Sequence, residues 1–255
     1  MPKLPFYFLV FFFSLFSTSF AQTLCLKENL QRARPGDYIV MVANKTVTLM
    51  HIYSRQDPFL IVEEIAAPFT RQSTQMDWKS WIRNGAPGHN SWVMYEIDLR
   101  SGRMERYYSL SKGHWYAVAD VDNFLSKLLN LRLQYIPEKE RRKVGVKLAT
   151  ERGAPLWQPP LKVEGQTIRG ILFDGWRTRW PKDGSDLSGK IIEIYLPQDS
   201  YAYPAYFPYW LQIQNSIGKS RVRIIDSGTA MQSPKPPLLS NSATTNDSAK
   251  DSLNE

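Results

Sequence analysis

Toward the C-terminus, Ile224-Ile225-Asp226-Ser227-Gly228-Thr229-Ala230 sets an aspartate in a Ser-Gly-Thr turn behind two β-branched residues. Such a turn can present a carboxylate for acid–base hydrolysis, which needs a second carboxylate sharing one proton around a water. The chain has no second Asp-Thr-Gly or Asp-Ser-Gly. A strand running into a turn that favours Asp and Gly is the simpler account. His51, His89 and His114 are far apart in sequence, and none stands in the His-Glu-x-x-His spacing that brings two imidazoles to one metal. There is no Gly-x-Ser-x-Gly elbow and no Gly-rich phosphate loop before a helix. His89 beside Ser91, and His114 near Asp120, are the remaining candidates for a catalytic set. Cys25 is the single cysteine, which excludes an intrachain disulfide and a cysteine-based metal site. Leu24 directly before it is too bulky for a lipidation signal. These residues imply neither a cofactor nor a metal.

The elements that must position these residues are mostly strands. The stretch from Lys190 to Gly228 reads as three. Ile191–Leu196 alternates, with Ile192, Ile194 and Leu196 on one face and Glu193 and Tyr195 on the other. Tyr209–Gln214 and Arg221–Asp226 form a hairpin around turn residues Asn215–Gly218. The Pro- and Tyr-rich crossover Pro197–Pro208 suits no regular element. Upstream, Asp37–Val42 and Lys45–Tyr53 pair around Ala43-Asn44, followed by Phe59–Ile65, Ser91–Asp98 and Met104–Ser109. Trp78, Trp81 and Ile82 share one face of a short helix from Met76 to Arg83. The main helix runs from about Val121 to Leu131, capped by Asp120 or Asp122, with Phe124, Leu125, Leu128 and Leu129 as its apolar stripe. Pro137 opens a further helical turn through Glu-Lys-Glu-Arg-Arg-Lys. Thr150–Pro160 is linker-like, and Leu161–Val163 and Phe173–Trp180 complete the sheet. Roughly eight to ten strands with one main helix and one or two short helices describe a mainly β (α+β) fold. Its centre is a large curved antiparallel sheet, either a closed barrel or a half-barrel with helices over its concavity.

The first residues carry Lys3, an apolar run from Phe6 to Phe16, and Ser19 and Ala21 at the −3 and −1 positions of a cleavage site. This is the pattern of a secretory signal peptide over 1–21, and its apolar run is short of the about 20 residues a bilayer crossing needs. A single β-rich domain over 22–231 and a disordered Ser-, Pro- and Asn-rich tail over 232–255 follow. Export places the chain in the periplasm or outside the cell. No transmembrane segment is expected after signal cleavage. The net charge of +8 is scattered among acids without a long Lys/Arg run. It favours anionic envelope partners over nucleic acid. Eight tryptophans are many for one domain, and some of their rings are candidates to line an apolar cavity.

In the C-terminal third, a strand ending in Trp176-Arg177-Thr178 is followed by a turn at Asp183-Gly184-Ser185 and by strand Ile191–Leu196. The proline-flanked strand Pro208–Gln214 and a hairpin strand with Gly218 at its turn come next. This order is similar to the periplasmic lipoprotein-carrier (LolA/LolB-like) family. The chain also resembles exported proteins of unknown function from Gram-negative bacteria. The carrier resemblance implies an unclosed half-barrel with helices across a hydrophobic concavity and a lipid or acylated-protein partner. It implies no metal and no nucleophile. The long Pro/Tyr crossover and the Trp-Gln-Pro-Pro linker depart from that pattern and bear on the ligand. The expected function is a non-enzymatic binding or carrier module for an apolar envelope ligand. Its candidate lining residues are Trp176, Trp180, Trp210, Leu211, Phe124 and Leu128. The alternatives are an envelope hydrolase or aspartic-type protease using Asp226 or a His89/His114-centred site, and a secreted interaction module that docks a partner through its tail or crossover.

Overall fold

Short apolar-rich stretches leave each strand with side chains to bury, and the computed structural model joins most of them edge to edge. The structure describes residues 22–110, 112–118, 123–144, 155–198, 203–204, 206–215 and 218–236. The expected signal peptide, the caps Asp120 and Asp122, and the tail from 237 onward lie outside the described residues. So do parts of the crossover, of the 150–160 linker and of the Asn215–Gly218 turn.

In chain order, β1 (Thr23–Cys25) leads into α1 (Leu26–Leu30). Then β2 (Tyr38–Ala43), β3 (Thr46–Gln56) and β4 (Phe59–Pro68) form a meander before α2 (Trp78–Arg83). Next come β5 (Ser91–Asp98), β6 (Arg103–Ser109), β7 (His114–Ala117), α3 (Phe124–Asn130) and β8 (Arg132–Tyr135). The chain ends with β9 (Leu161–Val163), β10 (Gln166–Ile168), β11 (Phe173–Arg179), β12 (Ile191–Pro197), β13 (Trp210–Asn215) and β14 (Gly218–Gly228). Twelve strands make one sheet in the order β1-β8-β11-β12-β13-β14-β2-β3-β4-β5-β6-β7, while β9 and β10 form a separate hairpin. Every neighbouring pair is antiparallel and the two ends do not meet, so the sheet is open. Among the described residues no helix is long and apolar enough to cross a membrane.

The local chemistry is consistent with the pairing. Asn44 takes φ +54° in the β2–β3 turn, a conformation asparagine tolerates. Asp77 caps α2, accepting from the backbone N–H groups of Lys79 and Ser80 at 3.1 Å each. Asn123, not an aspartate, caps α3 through the N–H of Ser126 at 3.0 Å.

Opposed residues of an antiparallel pair share a face, so the register sorts the side chains. One face carries Trp176, Ile194, Leu211, Val222, Met41, Ile39, Met50, Val62 and Tyr95. Leu26 and Leu30 of α1 and Leu128 and Leu129 of α3 belong to the same buried core as Ile39 and Val62, joined by Tyr203, Tyr206 and Phe207 of the crossover. On the other face Val40, Val42, Val47, Leu49 and Ile65 are covered by Trp78, Trp81 and Ile82 of α2 and by Met231. The sheet is therefore the middle layer of three, which is why so few of its strands look one-sided.

Candidate functional site

The irregular cover segments carry the most site-like feature. At the end of the sheet where β3 and β14 finish, the α1–β2 connection, the β9–β10 turn and the crossover enclose a cleft of about 690 Å³. Its wall includes Arg32, Arg34, Asp37, Arg55, Tyr203 and Tyr206. Arg55 is committed to structure: its Nε donates to Asp57 at 2.8 Å and its Nη1 to the carbonyls of Gln31 and Ala33. Arg32 and Arg34 are exposed, and neither guanidinium forms a salt bridge among the described residues. Burial pushes the Asp37 carboxyl up, opposed by the Arg34 backbone N–H at 3.0 Å and by the Arg34 charge. The cleft wall thus carries two exposed arginines, Arg32 and Arg34, together with the carboxylates of Asp37 and Glu164.

Behind Tyr206 lies a second space, an apolar cavity of about 20 Å³ between α1, α3 and the sheet. Ile39, Ile52, Val62, Leu125, Leu129 and Phe207 are among its lining residues, and Tyr206 lines it as well. Tyr206 is therefore the shared wall between an apolar interior and an arginine-bearing cleft. Burial, and secondarily the charge of Asp37, hold its phenol well above the usual range, so it stays protonated. Tyr203 beside it is buried and donates its hydroxyl to the Phe207 carbonyl at 3.0 Å, which ties these two crossover residues together.

Five of the six expected lining residues, Trp176, Trp180, Trp210, Leu211 and Leu128, are buried in the larger core. Phe124 is 42 % exposed and stacks on Trp180 with ring centroids 5.6 Å apart. None of the six lines the cavity or the cleft, although Leu125 and Leu129 are their direct neighbours on α3. Trp210 lies on the opposite sheet face from Leu211, where Trp157 covers it at 4.9 Å. Sequence reasoning passed over Arg32, Arg34 and Tyr206. The one available signal was the crossover, which has too many prolines for a strand and too many tyrosines for a solvated loop.

The Asp-Ser-Gly motif acts as a splice. Asp226 Oδ1 accepts the Gly165 N–H at 2.9 Å, and Oδ2 accepts from the Tyr38 hydroxyl at 3.4 Å. Ser227 donates its hydroxyl to the Lys162 carbonyl at 2.7 Å, and its own carbonyl accepts the Glu164 N–H at 2.7 Å. Together these bonds dock the β9–β10 hairpin on β14. Burial pushes the Asp226 carboxyl up, with the Gly165 N–H opposing. Gly228 permits the close approach, since a Cβ there would stand 2.7 Å from Tyr38 Cε1 and 2.8 Å from Glu164 Cγ.

The histidines separate. His51 and Glu63 form a buried pair at 2.9 Å across β3 and β4. Trp92 Nε1 donates to Glu63 at 2.8 Å. His89 meets Trp92 edge-on with ring centroids 5.3 Å apart. His114 lies on the edge strand β7, 4.2 Å from Tyr116 between ring centroids, and its expected partner Asp120 lies outside the described residues. Among the described residues no three His, Cys, Asp or Glu side chains converge as a metal site requires.

A protein-family model described as CT021 protein matches residues 48–169, from within β3 to just past β10. The solved structure of the hypothetical protein CT021 from Chlamydia trachomatis is similar in fold, with a TM-score of 0.59 at 22% identity. The likeness covers 85% of this chain and 98% of that one. No curated protein matches. The family match takes in His51, Glu63 and Trp92 but stops short of Arg32, Arg34, Tyr206 and Asp226.

Proposed function

We propose that this chain is an exported, non-enzymatic binding or carrier module for an amphipathic envelope molecule with an acidic head and an apolar tail. The observation that carries the reading is Tyr206, which divides an apolar cavity from an arginine-lined cleft. A guanidinium fork suits carboxylate or phosphate, and Arg32 and Arg34 offer two at the mouth. A tail is worth about 0.8 kcal/mol for each methylene buried, so a few carbons suffice to favour the interior. The cavity of about 20 Å³ is too small for such a tail as it stands. Binding therefore requires Tyr206 and Phe207 to yield their places on the α1/α3 face. An open antiparallel sheet is also what the resemblance to lipoprotein carriers implied, and α1 and α3 lie across the face that holds the cavity while α2 covers the other.

The test is native mass spectrometry of protein expressed with its first 21 residues and recovered from the periplasmic fraction, followed by titration with a fluorescent long-chain fatty acid and its methyl ester. The expected chain begins at Gln22, carries a lipid-sized adduct and binds the acid. Reversing both arginines (Arg32→Glu, Arg34→Glu) weakens binding of the acid tenfold or more and leaves the ester unchanged. A chain with no adduct that binds neither probe overturns the proposal.

A further inference from the structure

The α2 face of the sheet carries a second feature, built around the His51–Glu63 pair. After β14 the chain continues as residues 231–236, and burial alternates along it. Met231, Ser233 and Lys235 turn inward, while Gln232, Pro234 and Pro236 are exposed. That alternation marks a segment laid on a surface, with a bend at Pro234 and Lys235 where the Lys235 N–H donates to Ser233 Oγ at 3.1 Å. The segment joins no strand of the sheet; it is held by its side chains and by its backbone groups together. Met231 enters the smaller core, and its N–H donates to the Gly36 carbonyl at 2.9 Å. Ser233 donates its hydroxyl to Glu63 Oε1 at 2.7 Å. The Lys235 ammonium stands 4.1 Å from the Trp92 ring centroid. Tyr53 donates its hydroxyl to the carbonyls of Lys235 at 3.2 Å and Pro236 at 2.7 Å.

The receiving groups are held in place by one another. Glu63 is fixed by His51 at 2.9 Å and by Trp92 Nε1 at 2.8 Å, and Trp92 is braced by the edge of the His89 ring. None of these supports involves residues 231–236, so the surface is preformed. It combines an acid for a hydroxyl, an aromatic face for a cation and a phenol for backbone carbonyls. Pro234 and Pro236 lack an N–H and have restricted φ, which keeps the segment out of the ladder and lowers the entropy lost on docking.

The geometry points to a docking groove across Tyr53, Glu63 and Trp92 for a proline-punctuated partner peptide with a hydroxyl residue two positions before a Lys or Arg. The chain's own residues 231–236 occupy that groove as a displaceable stand-in. Tethering gives the internal segment an effective concentration in the millimolar range, so a free peptide of equal chemistry competes poorly until the tethered copy is weakened.

The experiment uses the full chain, wild type and with Ser233→Ala and Lys235→Ala, titrated with a synthetic peptide of residues 230–237 and followed by tryptophan fluorescence. The substituted chain is expected to bind the peptide at least tenfold more tightly than wild type. Replacing the lysine of the peptide with alanine removes that gain, and Tyr53→Phe in the substituted chain weakens binding. Near-UV circular dichroism verifies that each variant is folded. A folded substituted chain that does not bind the peptide overturns the proposal. So does concentration-dependent dimerisation without peptide uptake, which assigns the groove to a second copy.

Discussion

Replacing Arg141 with methionine is expected to destabilise the fold by about 3 kcal/mol, a value that follows from four contacts. The Arg141 side chain is only 3% exposed. Its Nε donates to the Ile136 carbonyl at 2.9 Å and its Nη1 to the Phe173 carbonyl at 2.8 Å. Its Nη2 reaches the Tyr135 hydroxyl and Asp174 Oδ1, the latter at 3.3 Å. Arg141 thereby ties β8 to the start of β11, two strands that share only the register pairs Trp176↔Tyr135 and Arg177↔Gln134. Methionine keeps most of the aliphatic volume but orphans two buried carbonyls, at about 1–2 kcal/mol each. Losing the stack on Tyr135, 4.8 Å to the ring centroid, adds about 0.5–1 kcal/mol. The half-exposed Asp174 adds about 0–1 kcal/mol, and relief from burying a guanidinium returns part of the total. Arg141→Lys should cost nearly as much, because one ammonium cannot span the same acceptors. Urea unfolding followed by tryptophan fluorescence reads this as a midpoint shift of about 1 M at an m-value of roughly 3 kcal/mol/M. The control is Arg177→Met, whose guanidinium holds Glu193 at 2.9 Å with 38% exposure and should cost under about 1 kcal/mol. If Arg141→Met falls within about 0.5 kcal/mol of wild type, the premise that orphaned carbonyls dominate is refuted.

Two further substitutions address the Asp226 splice. The folded-state carboxyl of Asp226 lies above the ordinary aspartate range because it is buried. Its contribution is therefore most favourable below the unfolded pKa, shrinks as pH rises through the window up to the raised folded value, and is flat above it. Asp226→Asn keeps an acceptor for the Gly165 N–H and removes that pH dependence. The difference between variant and wild type in a pH series of urea midpoints should favour the variant increasingly from acid toward neutral pH. It should leave fatty-acid binding unchanged, whereas abolished peptide hydrolysis would move the function to Asp226 as a catalytic acid. Gly228→Ala forces a Cβ within 2.7 Å of the buried Tyr38 ring and 2.8 Å of Glu164. It should cost about 1–3 kcal/mol in thermal unfolding, and an unchanged melting temperature would mean that the β9–β10 hairpin is free to lift.

How far the fold was legible depended on whether propensity or partnership makes each element. The alternation of Ile192 and Ile194 against Glu193 is in the residues themselves, and the strand is where it reads. Tyr195 does lie on the opposite face, as the alternation reads, and it is buried there because Trp157 covers it at 5.3 Å. That cover comes from a proline-rich linker with no periodicity to betray it. Strands β1, β7 and β8, of three or four residues each, bring the sheet to twelve where eight to ten were read. They exist because a neighbour's edge was open: Thr23–Cys25 pairs residue for residue with Arg132–Gln134. The composition of residues 232–255 argues for disorder, but its first residues are held by Ser233 and Lys235 through contacts that apolar counting ignores. The cleft was illegible for a related reason. Arg32 and Arg34 lie in an ordinary turn, and only the placement of Tyr203 and Tyr206 beside them makes a wall.

These misses share a cause that bears on function. An open sheet covered on both faces depends on segments that are not part of it, and both candidate binding features of this chain are made by such segments. Tyr206 and the α1–β2 turn form one; residues 231–236 lying on Glu63 and Trp92 form the other. Cover segments have few backbone bonds to the ladder, so they can open at a free-energy cost well below that of global unfolding. The strands beneath, cross-linked by registered pairs from β1 to β7, have no comparable local route. Substitutions that weaken the ties between strands, such as Arg141→Met, should therefore move stability and leave ligand or peptide affinity in proportion to the folded fraction. Substitutions at Arg32, Arg34, Ser233 or Lys235 should move affinity and leave the unfolding midpoint nearly fixed. Hydrogen exchange separates the two: amides of Phe207 and Met231 should open well before those of Val40 and Ile194, and equal protection at all four would mean that the covers are as permanent as the sheet.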